Sequence, residues 1–213
     1  MDLGEKVAKA ILEVGAFQVD TKNKFEWSSA GSRMPVYTDI RLLFGNPKSS
    51  KLILESFLEV MSEKKMEWDI IAGTATAGIS PARDLAFKTE SDFFYVRNRP
   101  KAHGLNKMIE CMNPEHIERR KVILIEDTIS TGNSLISAVK EIRDRDVGGI
   151  CTDCLAIFDY RFRESKTSFE YLNPTCEINS LVTYDTLVDV AKKTGYIDSK
   201  QVEVLESWHA SYS

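Results

Sequence analysis

The fold prediction rests first on the stretch Val122-Ile123-Leu124-Ile125-Glu126-Asp127-Thr128-Ile129-Ser130-Thr131-Gly132-Asn133-Ser134. Its four apolar residues predict a strand buried on both faces, and the two acids and small hydroxylated residues after them predict a loop. Apolar side chains then recur at helical spacing, which predicts a helix from about Asn133 to Arg145. A buried strand that leads through a short loop into a helix is the repeating unit of α/β proteins.

The same alternation of strand and helix extends to both sides of this stretch. Three more short apolar runs predict strands that are buried on both faces, which is typical of a parallel sheet. We therefore expect an α/β fold with a mostly parallel central sheet flanked by helices. The other predicted elements are strands at 70–72, 93–96 and 155–158 and helices at about 5–16, 51–63 and 81–88.

Two segments do not fit this alternating core. Residues 17–45 contain two short strand candidates, Phe25–Trp27 and Val36–Asp39, and little helical periodicity. Residues 184–207 have a helical pattern at the C-terminal end. We expect one domain, residues 1–213, in which residues about 17–45 and the C-terminal helices form a hood over one edge or end of the sheet.

Charge and hydropathy exclude several classes of function. The 213-residue chain carries 32 acidic and 28 basic side chains, a net charge of −4. This acidic balance disfavours polyanion binding, so we expect no nucleic-acid partner. No apolar run approaches the roughly 18 residues of a membrane-spanning helix, and Met1–Lys6 lacks the pattern of a secretory signal. The expectation is a cytoplasmic protein with no membrane partner.

The four cysteines are too few for a disulfide-rich fold of this length. Cys151 and Cys154 have the CxxC spacing but lie in Ile150–Phe158, a stretch that includes the apolar run 155–158 and has the pattern of a strand. Residues three apart on a strand point to opposite faces. We therefore expect these two thiols not to share a metal or a disulfide and to be ordinary core residues. No metal site formed by protein side chains is predicted.

A sugar-phosphate pocket is the chemistry that the stretch 122–134 favours. Ligands of open α/β sheets bind beyond the carboxyl ends of the strands, where Glu126 and Asp127 are expected. Their carboxylates can accept hydrogen bonds from ribose hydroxyls, and the loop amides and the helix N-terminus can bind a phosphate. The alternative is that the acids merely end a strand while Ser130, Thr131 and Asn133 cap the helix.

Two further loops follow predicted strands. Gly73–Ser80 resembles a nucleotide-binding P-loop, but Ile79 stands where the phosphate-binding lysine should be, so a nucleotide hydrolase is not expected. This loop either presents amides to a pyrophosphate or is a tight turn that packs a helix onto the sheet. Arg97–Lys107 gathers four cations and a histidine without an acid, which indicates either an anion site or a solvated basic loop.

These segments together resemble the orotate phosphoribosyltransferases. Residues 122–134 are similar to the phosphoribosyl-diphosphate (PRPP) signature of type I phosphoribosyltransferases, and the resemblance extends over nearly the whole chain. Lys101-Ala102-His103-Gly104 is its most discriminating part, because it separates this branch from purine-salvage relatives. The other matching segments are Phe25–Ser29, Pro35–Arg41, Gly73–Ile79 and Tyr95–Arg97.

The resemblance implies magnesium-dependent transfer of ribose 5-phosphate from PRPP to orotate in pyrimidine biosynthesis, by a homodimer whose subunits share active sites. It implies that the magnesium ion is bound mainly through PRPP and pyrophosphate. It assigns catalysis to Lys101, His103, Glu126 and Asp127, and orotate binding to Ser130, Phe25 and Tyr37. The implied PRPP-binding residues are Thr74, Ala75, Arg97, Lys101, His103, Glu126, Asp127, Thr128, Ile129, Ser130, Thr131, Gly132, Asn133 and Ser134.

Two alternatives stay open at this point. One is a phosphoribosyltransferase for another base, which the segment Phe25–Arg41 disfavours because purine-salvage relatives lack it in this form. Base recognition also differs from some family members, since their orotate-contacting arginine has no aligned match here and Arg161 is merely close. The other alternative is a PRPP-sensing regulatory protein that binds nucleic acid, which the acidic net charge disfavours.

Overall fold

The computed structural model describes residues 2–26, 33–99 and 108–212. Its strands are β1 (Phe17–Val19), β2 (Phe25–Glu26), β3 (Arg33–Met34), β4 (Val36–Thr38), β5 (Ile70–Thr74), β6 (Asp92–Val96), β7 (Ile109–Glu110), β8 (Lys121–Ile129), β9 (Ile150–Asp159) and β10 (Glu177–Thr183). Its α-helices are α1 (Leu3–Glu13), α2 (Pro47–Glu63), α3 (Ile79–Thr89), α4 (Asn133–Arg143), α5 (Arg163–Glu170), α6 (Tyr184–Lys193) and α7 (Ser199–Ala210). Short 3-10 helices span Ile40–Gly45 and Pro114–His116.

A six-stranded sheet with the order β10-β9-β8-β5-β6-β7 forms the centre of the fold. All neighbouring strands are parallel except β6 and β7, which pair antiparallel at one edge. β8 lies between β9 and β5, so the stretch that suggested the fold occupies a central strand. This arrangement confirms the predicted α/β class with a mostly parallel sheet.

Alternating side chains of the central strands pack into two apolar layers. Ile123 and Ile125 of β8 pack with residues of α1, α2, α3, α6 and α7 on one face. Val122 and Leu124 pack with α4 and α5 on the other face. Both faces are covered, which explains why these strands read as continuous apolar runs in the sequence.

The predicted core elements are all present, with different ends. One difference bears on the acid pair: β8 continues to Ile129, so Glu126 to Ile129 belong to the strand and not to the predicted loop. The reason is the neighbouring strand: Glu126 pairs with Ala156 and Thr128 pairs with Phe158 of β9. The sequence analysis also missed β1, β3, β7, α5 and β10.

The hood segments make two small antiparallel sheets and the C-terminal helices. β1 pairs with β4, and β2 pairs with β3. The predicted strand Val36–Asp39 is confirmed as β4, and Phe25–Glu26 is confirmed as β2, while Trp27 lies outside the described residues. A hydrogen bond of 2.8 Å from the Tyr196 hydroxyl to the Phe17 carbonyl joins the C-terminal part of the chain to β1.

The expectation that Cys151 and Cys154 point to opposite faces is wrong. The register of β8 and β9 shifts between Lys121 and Ile123, so that two residues on β8 span three on β9. The extra residue is a β-bulge, which resets the alternation of side chains. Both thiols therefore lie buried in the apolar layer beneath α4 and α5.

Among the residues that the structure describes, no helix has the length and apolar character needed to cross a membrane.

Candidate functional site

The two acids of the central strand lie next to the end of β5. Glu126 is 7% exposed, and its Oε1 accepts hydrogen bonds from the Thr74 hydroxyl at 2.7 Å and from the Asp127 amide at 3.1 Å. Thr74 is itself 1% exposed and also donates to the Ile125 carbonyl at 3.2 Å. The fold thus fixes the Glu126 carboxyl from two neighbouring strands.

Glu126 and Asp127 differ in their environments. Burial, reinforced by the neighbouring Asp127 charge, raises the pKa of Glu126 well above its usual 4.5. Asp127 is half-buried, and its Oδ2 accepts a hydrogen bond from the Thr128 hydroxyl at 3.3 Å. The pair therefore offers one carboxyl that readily holds a proton and one carboxylate closer to solvent.

A short turn, Ser130 to Gly132, connects β8 to the N-terminus of α4. Gly132 has a φ of +78°, in the left-handed region that favours glycine. In the described part of the chain no side chain caps this helix, so the predicted alternative of capping by Ser130, Thr131 or Asn133 is wrong. The first amide N–H groups of α4 have no hydrogen-bond acceptor within the helix. Together with Glu126 and Thr128, the residues that carry them border a small cavity. This is suitable geometry for a phosphate group.

Helix α5 supports this turn from behind. A Cβ atom at Gly132 would lie 2.9 Å from the Phe169 ring and 3.3 Å from the Ser165 Cβ. The close packing and the left-handed backbone both require glycine here. The turn is therefore held in place by the fold before any ligand binds.

The loop after β5 is a tight turn that packs against β8. A Cβ atom at Gly78 would lie 2.5 Å from the Ile125 carbonyl oxygen and 2.5 Å from the Thr74 hydroxyl. The Ala75 amide donates to the Val96 carbonyl at 2.8 Å, and the Ala75–Thr76 peptide bond is cis. Thr74 thus acts on the site through Glu126, and its predicted contact with PRPP, like that of Ala75, stays a prediction.

The described residues on either side of the basic segment, Arg97 and Met108, lie at the edge of the sheet. Arg97 follows β6; its amide donates to the Met108 carbonyl at 2.8 Å, and its guanidinium lies 3.6 Å from the Glu110 carboxylate. The predicted catalytic residues Lys101 and His103 lie outside the described residues. The β6–β7 pairing nevertheless brings both ends of their segment to the carboxyl end of β6.

One side chain of the hood, Arg41, lies close enough to Asp127 for their charges to interact. The Phe25 and Tyr37 rings stack with 5.9 Å between centroids. Arg41 donates to the Tyr37 hydroxyl at 3.2 Å and forms two bonds with the Asp39 carboxylate, at 2.6 and 3.0 Å. These bonds to Asp39 raise the pKa of Arg41, and the Asp127 charge adds to the effect. The sequence analysis did not single out Arg41, which lies two residues after the predicted strand Val36–Asp39.

The end of β9 completes this edge of the sheet. Asp159 is buried, which raises its pKa, and its Oδ1 accepts a hydrogen bond of 2.7 Å from the Arg161 amide. The Tyr160 hydroxyl lies 2.9 Å from the Thr38 hydroxyl and so joins the hood to β9. Asp159 pairs with Ile129 at the end of β8, and the exposed Arg161 follows two residues later.

Comparison with known proteins identifies the family. The model of the phosphoribosyl transferase domain matches residues 43–179. An orotate phosphoribosyltransferase of Coxiella burnetii is 33% identical over 98% of this chain and 96% of its own length. One from Streptococcus mutans is 34% identical, with 98% and 96% covered. The chain belongs to the orotate phosphoribosyltransferase family.

Solved structures agree with this orotate phosphoribosyltransferase assignment. The enzyme of that name from Aeropyrum pernix superposes with a TM-score of 0.72 at 25% identity, covering 90% of this chain and 99% of its own. Leishmania donovani UMP synthase superposes with a TM-score of 0.80 at 20% identity, covering 98% of this chain and 42% of that chain, which supports the fold alone.

Proposed function

We propose that this member of the family transfers ribose 5-phosphate from PRPP to N1 of orotate, giving orotidine 5′-phosphate and pyrophosphate. The observation that carries the proposal is the acid pair Glu126–Asp127 next to the uncapped N-terminus of α4. An acid pair suits ribose hydroxyls, and free amides at a helix N-terminus suit a terminal phosphate. The two features lie on one continuous stretch, as one sugar phosphate requires.

In this proposal the 5-phosphate binds at the turn 130–132 and the first turn of α4. Asp127 and Glu126 bind the 2- and 3-hydroxyls of the ribose. As pyrophosphate leaves, positive charge develops on the ring, and the nearby carboxylates stabilise it. Burial raises the pKa of Glu126 and so favours its protonated form. Positive charge that develops on the substrate has the opposite effect and favours loss of this proton.

The leaving diphosphate calls for cations at the opposite end of the substrate. Arg97 follows β6 at the same end of the sheet, and Lys101 and His103 belong to the segment that begins there. A bound magnesium ion fits this site, because the Asp127 carboxylate and Thr128 hydroxyl are oxygen ligands of the kind it prefers. When bound, the ion supplies positive charge to the diphosphate.

The hood supplies the surroundings of the base. The stacked pair of Phe25 and Tyr37 provides an aromatic surface, and Ser130 provides a hydroxyl. Arg41 and Arg161 are the cations that the hood and the end of β9 bring to this edge, where the orotate carboxylate needs a partner. We propose that Arg161 takes the part of the orotate-contacting arginine.

A spectrophotometric assay tests the substrate assignment. Purified protein is given PRPP, magnesium and one of orotate, uracil, hypoxanthine or adenine. We expect consumption of orotate alone. Consumption of another base but not orotate would support the alternative phosphoribosyltransferase, and absence of turnover with retained PRPP binding would support a PRPP-sensing regulatory protein.

We also propose that the chain, as one domain of residues 1–213 in the cytoplasm, works as a homodimer in which Lys101 and His103 reach the partner's site. Mixed dimers test the sharing. Lys101→Ala subunits and Asp127→Asn subunits are each expected to lose most activity, because each site lacks one charged group. Charged hydrogen bonds are worth about 1.5–3 kcal/mol, so Lys101→Ala costs about one to two decades in rate.

Mixing the two variants in equal amounts is then expected to restore activity. A heterodimer has one site with both defects and one intact site, so a random mixture regains about a quarter of the wild-type rate. Native mass spectrometry confirms that heterodimers form, and an unmixed variant is the control. Heterodimers without regained activity would contradict shared sites.

A further inference from the structure

Three buried cysteines come together beneath α4 and α5. The Sγ atoms of Cys151, Cys154 and Cys176 all lie within 4.8 Å of one another, and those of Cys154 and Cys176 are 3.3 Å apart. All three side chains are buried, whereas the fourth cysteine, Cys111, is exposed. Apolar packing does not require three thiols at one place, and three sulfur atoms this close can all contact one ion.

The β-bulge in β9 and the start of β10 create this cluster. The extra residue between Ile150 and Asp153 turns Cys151 and Cys154 to the same face. Cys154 pairs with Ile178 in the parallel ladder, so Cys176 reaches the same face from just before β10. Three ligands from two adjacent segments are thereby held by the sheet itself.

Arg143 provides positive charge and holds the two cysteine-bearing segments together. Its guanidinium donates to the Cys151 carbonyl from Nε at 2.9 Å and also from Nη2. It donates further to the carbonyls of Pro174 at 2.6 Å and Thr175 at 3.3 Å, immediately before Cys176. The Arg143 cation is therefore placed beside the cluster, where it can offset negative charge on the sulfur atoms.

A cavity reaches the cluster from the surface beside α5. Cys176 forms part of its wall, together with Ser165, Phe169, Glu170, Thr175 and Ile178. The opening gives an ion a path to the thiols and leaves room for a water molecule next to Cys176. Ser165 and Phe169 also pack behind Gly132, so the cavity lies directly behind the phosphate-binding turn.

We propose that Cys151, Cys154 and Cys176 bind one thiophilic divalent cation of the zinc class through three thiolates, with a water from the cavity as fourth ligand. Binding releases three protons from three thiols and leaves a net charge of −1, which the Arg143 cation offsets. Zinc–sulfur bonds of about 2.3 Å in tetrahedral geometry place sulfur atoms about 3.8 Å apart. The Sγ atoms of Cys154 and Cys176 are 3.3 Å apart and all three lie within 4.8 Å of one another, so small side-chain shifts suffice.

Cobalt and cadmium titrations of the reduced full-length protein test this proposal. We expect one ion per chain and a thiolate-to-metal charge-transfer band in the ultraviolet. Zinc is expected to compete for the same site and to raise the Tm, because it binds the folded chain in preference to the unfolded one. None of these readouts depends on catalytic activity or on the proposed substrate.

Matched cysteine variants locate the ion. Cys154→Ser and Cys176→Ser are each expected to weaken binding at least about 100-fold and to remove the band, whereas the exposed Cys111→Ser keeps both. The Cys176→Ser change faces the cavity and serves if Cys154→Ser does not fold. The proposal would be overturned if no one-to-one complex forms or if Cys111→Ser loses the band. It would also be overturned if Cys154 and Cys176 form a disulfide that persists after treatment with a reductant.

Discussion

Replacing Glu126 by glutamine is expected to lower kcat/KM about 100-fold while making the protein more stable. The amide keeps the two hydrogen bonds that Oε1 accepts, from Thr74 and from the Asp127 amide, so the fold is preserved. It cannot become negative as the ribose ring gains positive charge, and losing one preorganised electrostatic group costs about 10²–10³ in rate. Initial rates with PRPP and orotate measure the effect.

The stability gain follows from the raised pKa of Glu126. Because its pKa in the folded state lies above its usual 4.5, the folded chain holds a proton that the unfolded chain releases, and stability falls as pH rises through that window. The Tm of Glu126→Gln is therefore expected to exceed that of wild type increasingly above pH 4.5, by about 2–4 °C per kcal/mol recovered.

Scanning calorimetry between about pH 4 and pH 8 checks this difference, because the scan then starts near the usual Glu pKa of 4.5 and extends above it. The exposed Glu59→Gln on α2 is the control and is expected to change neither activity nor Tm. Equal Tm values for Glu126→Gln and wild type at neutral pH, or undiminished activity, would contradict the role given to the buried carboxyl.

A second large effect is expected from Gly78→Ala. The new Cβ atom would lie 2.5 Å from both the Ile125 carbonyl oxygen and the Thr74 hydroxyl, so the loop or β8 must move. Overpacking of this kind costs about 1–3 kcal/mol, or a Tm loss of up to about 12 °C at this chain length. Since Thr74 fixes Glu126, we also expect activity to fall at least about tenfold.

Gly45→Ala is the matched control for this change. Gly45 ends the first 3-10 helix, has no heavy atom within 4 Å of its ideal Cβ position, and is expected to tolerate alanine with an unchanged Tm. Thermal unfolding and the orotate assay are read on both variants. A Gly78→Ala protein with the Tm and rate of wild type would show that the close approach of this loop to β8 is not needed.

The sequence predicted the central sheet well because its strands are buried on both faces. Short apolar runs such as Ile70–Ala72 and Val122–Ile125 are typical of strands that are buried on both faces. The helices between them have clear periodicity. β10 lies at the sheet edge and was missed because three of its first four residues, Glu177–Ser180, are polar and none of the four is buried. The hydropathy pattern of an edge strand is weak.

Two errors came from contacts that no local pattern encodes. β8 extends to Ile129 because β9 continues beside it, and the acids of the pair thus belong to a strand. The β-bulge near Cys151 depends in the same way on the register between two strands. Register is a property of the pair, so the sequence of one strand does not determine it.

Part of the proposed site is continuous in sequence, and part is assembled by tertiary packing. Glu126 to Ser134 form one stretch, so spacing alone indicated the sugar-phosphate pocket. Arg41 and Tyr160 reach the same edge from the hood and from the end of β9. Their proximity arises from tertiary packing, for which the single sequence carries no direct signal.

The position of β8 between β9 and β5 has a consequence for native-state dynamics. Amide exchange in proteins reports opening events that range from local fraying to global unfolding, and central strands open last. β8 pairs with β5 from Val122 to Ile125 and with β9 as far as Ile129. The edge strand β7, in contrast, pairs through two residues. The acid pair on β8 should therefore persist through fluctuations that detach the edge strand beside Arg97.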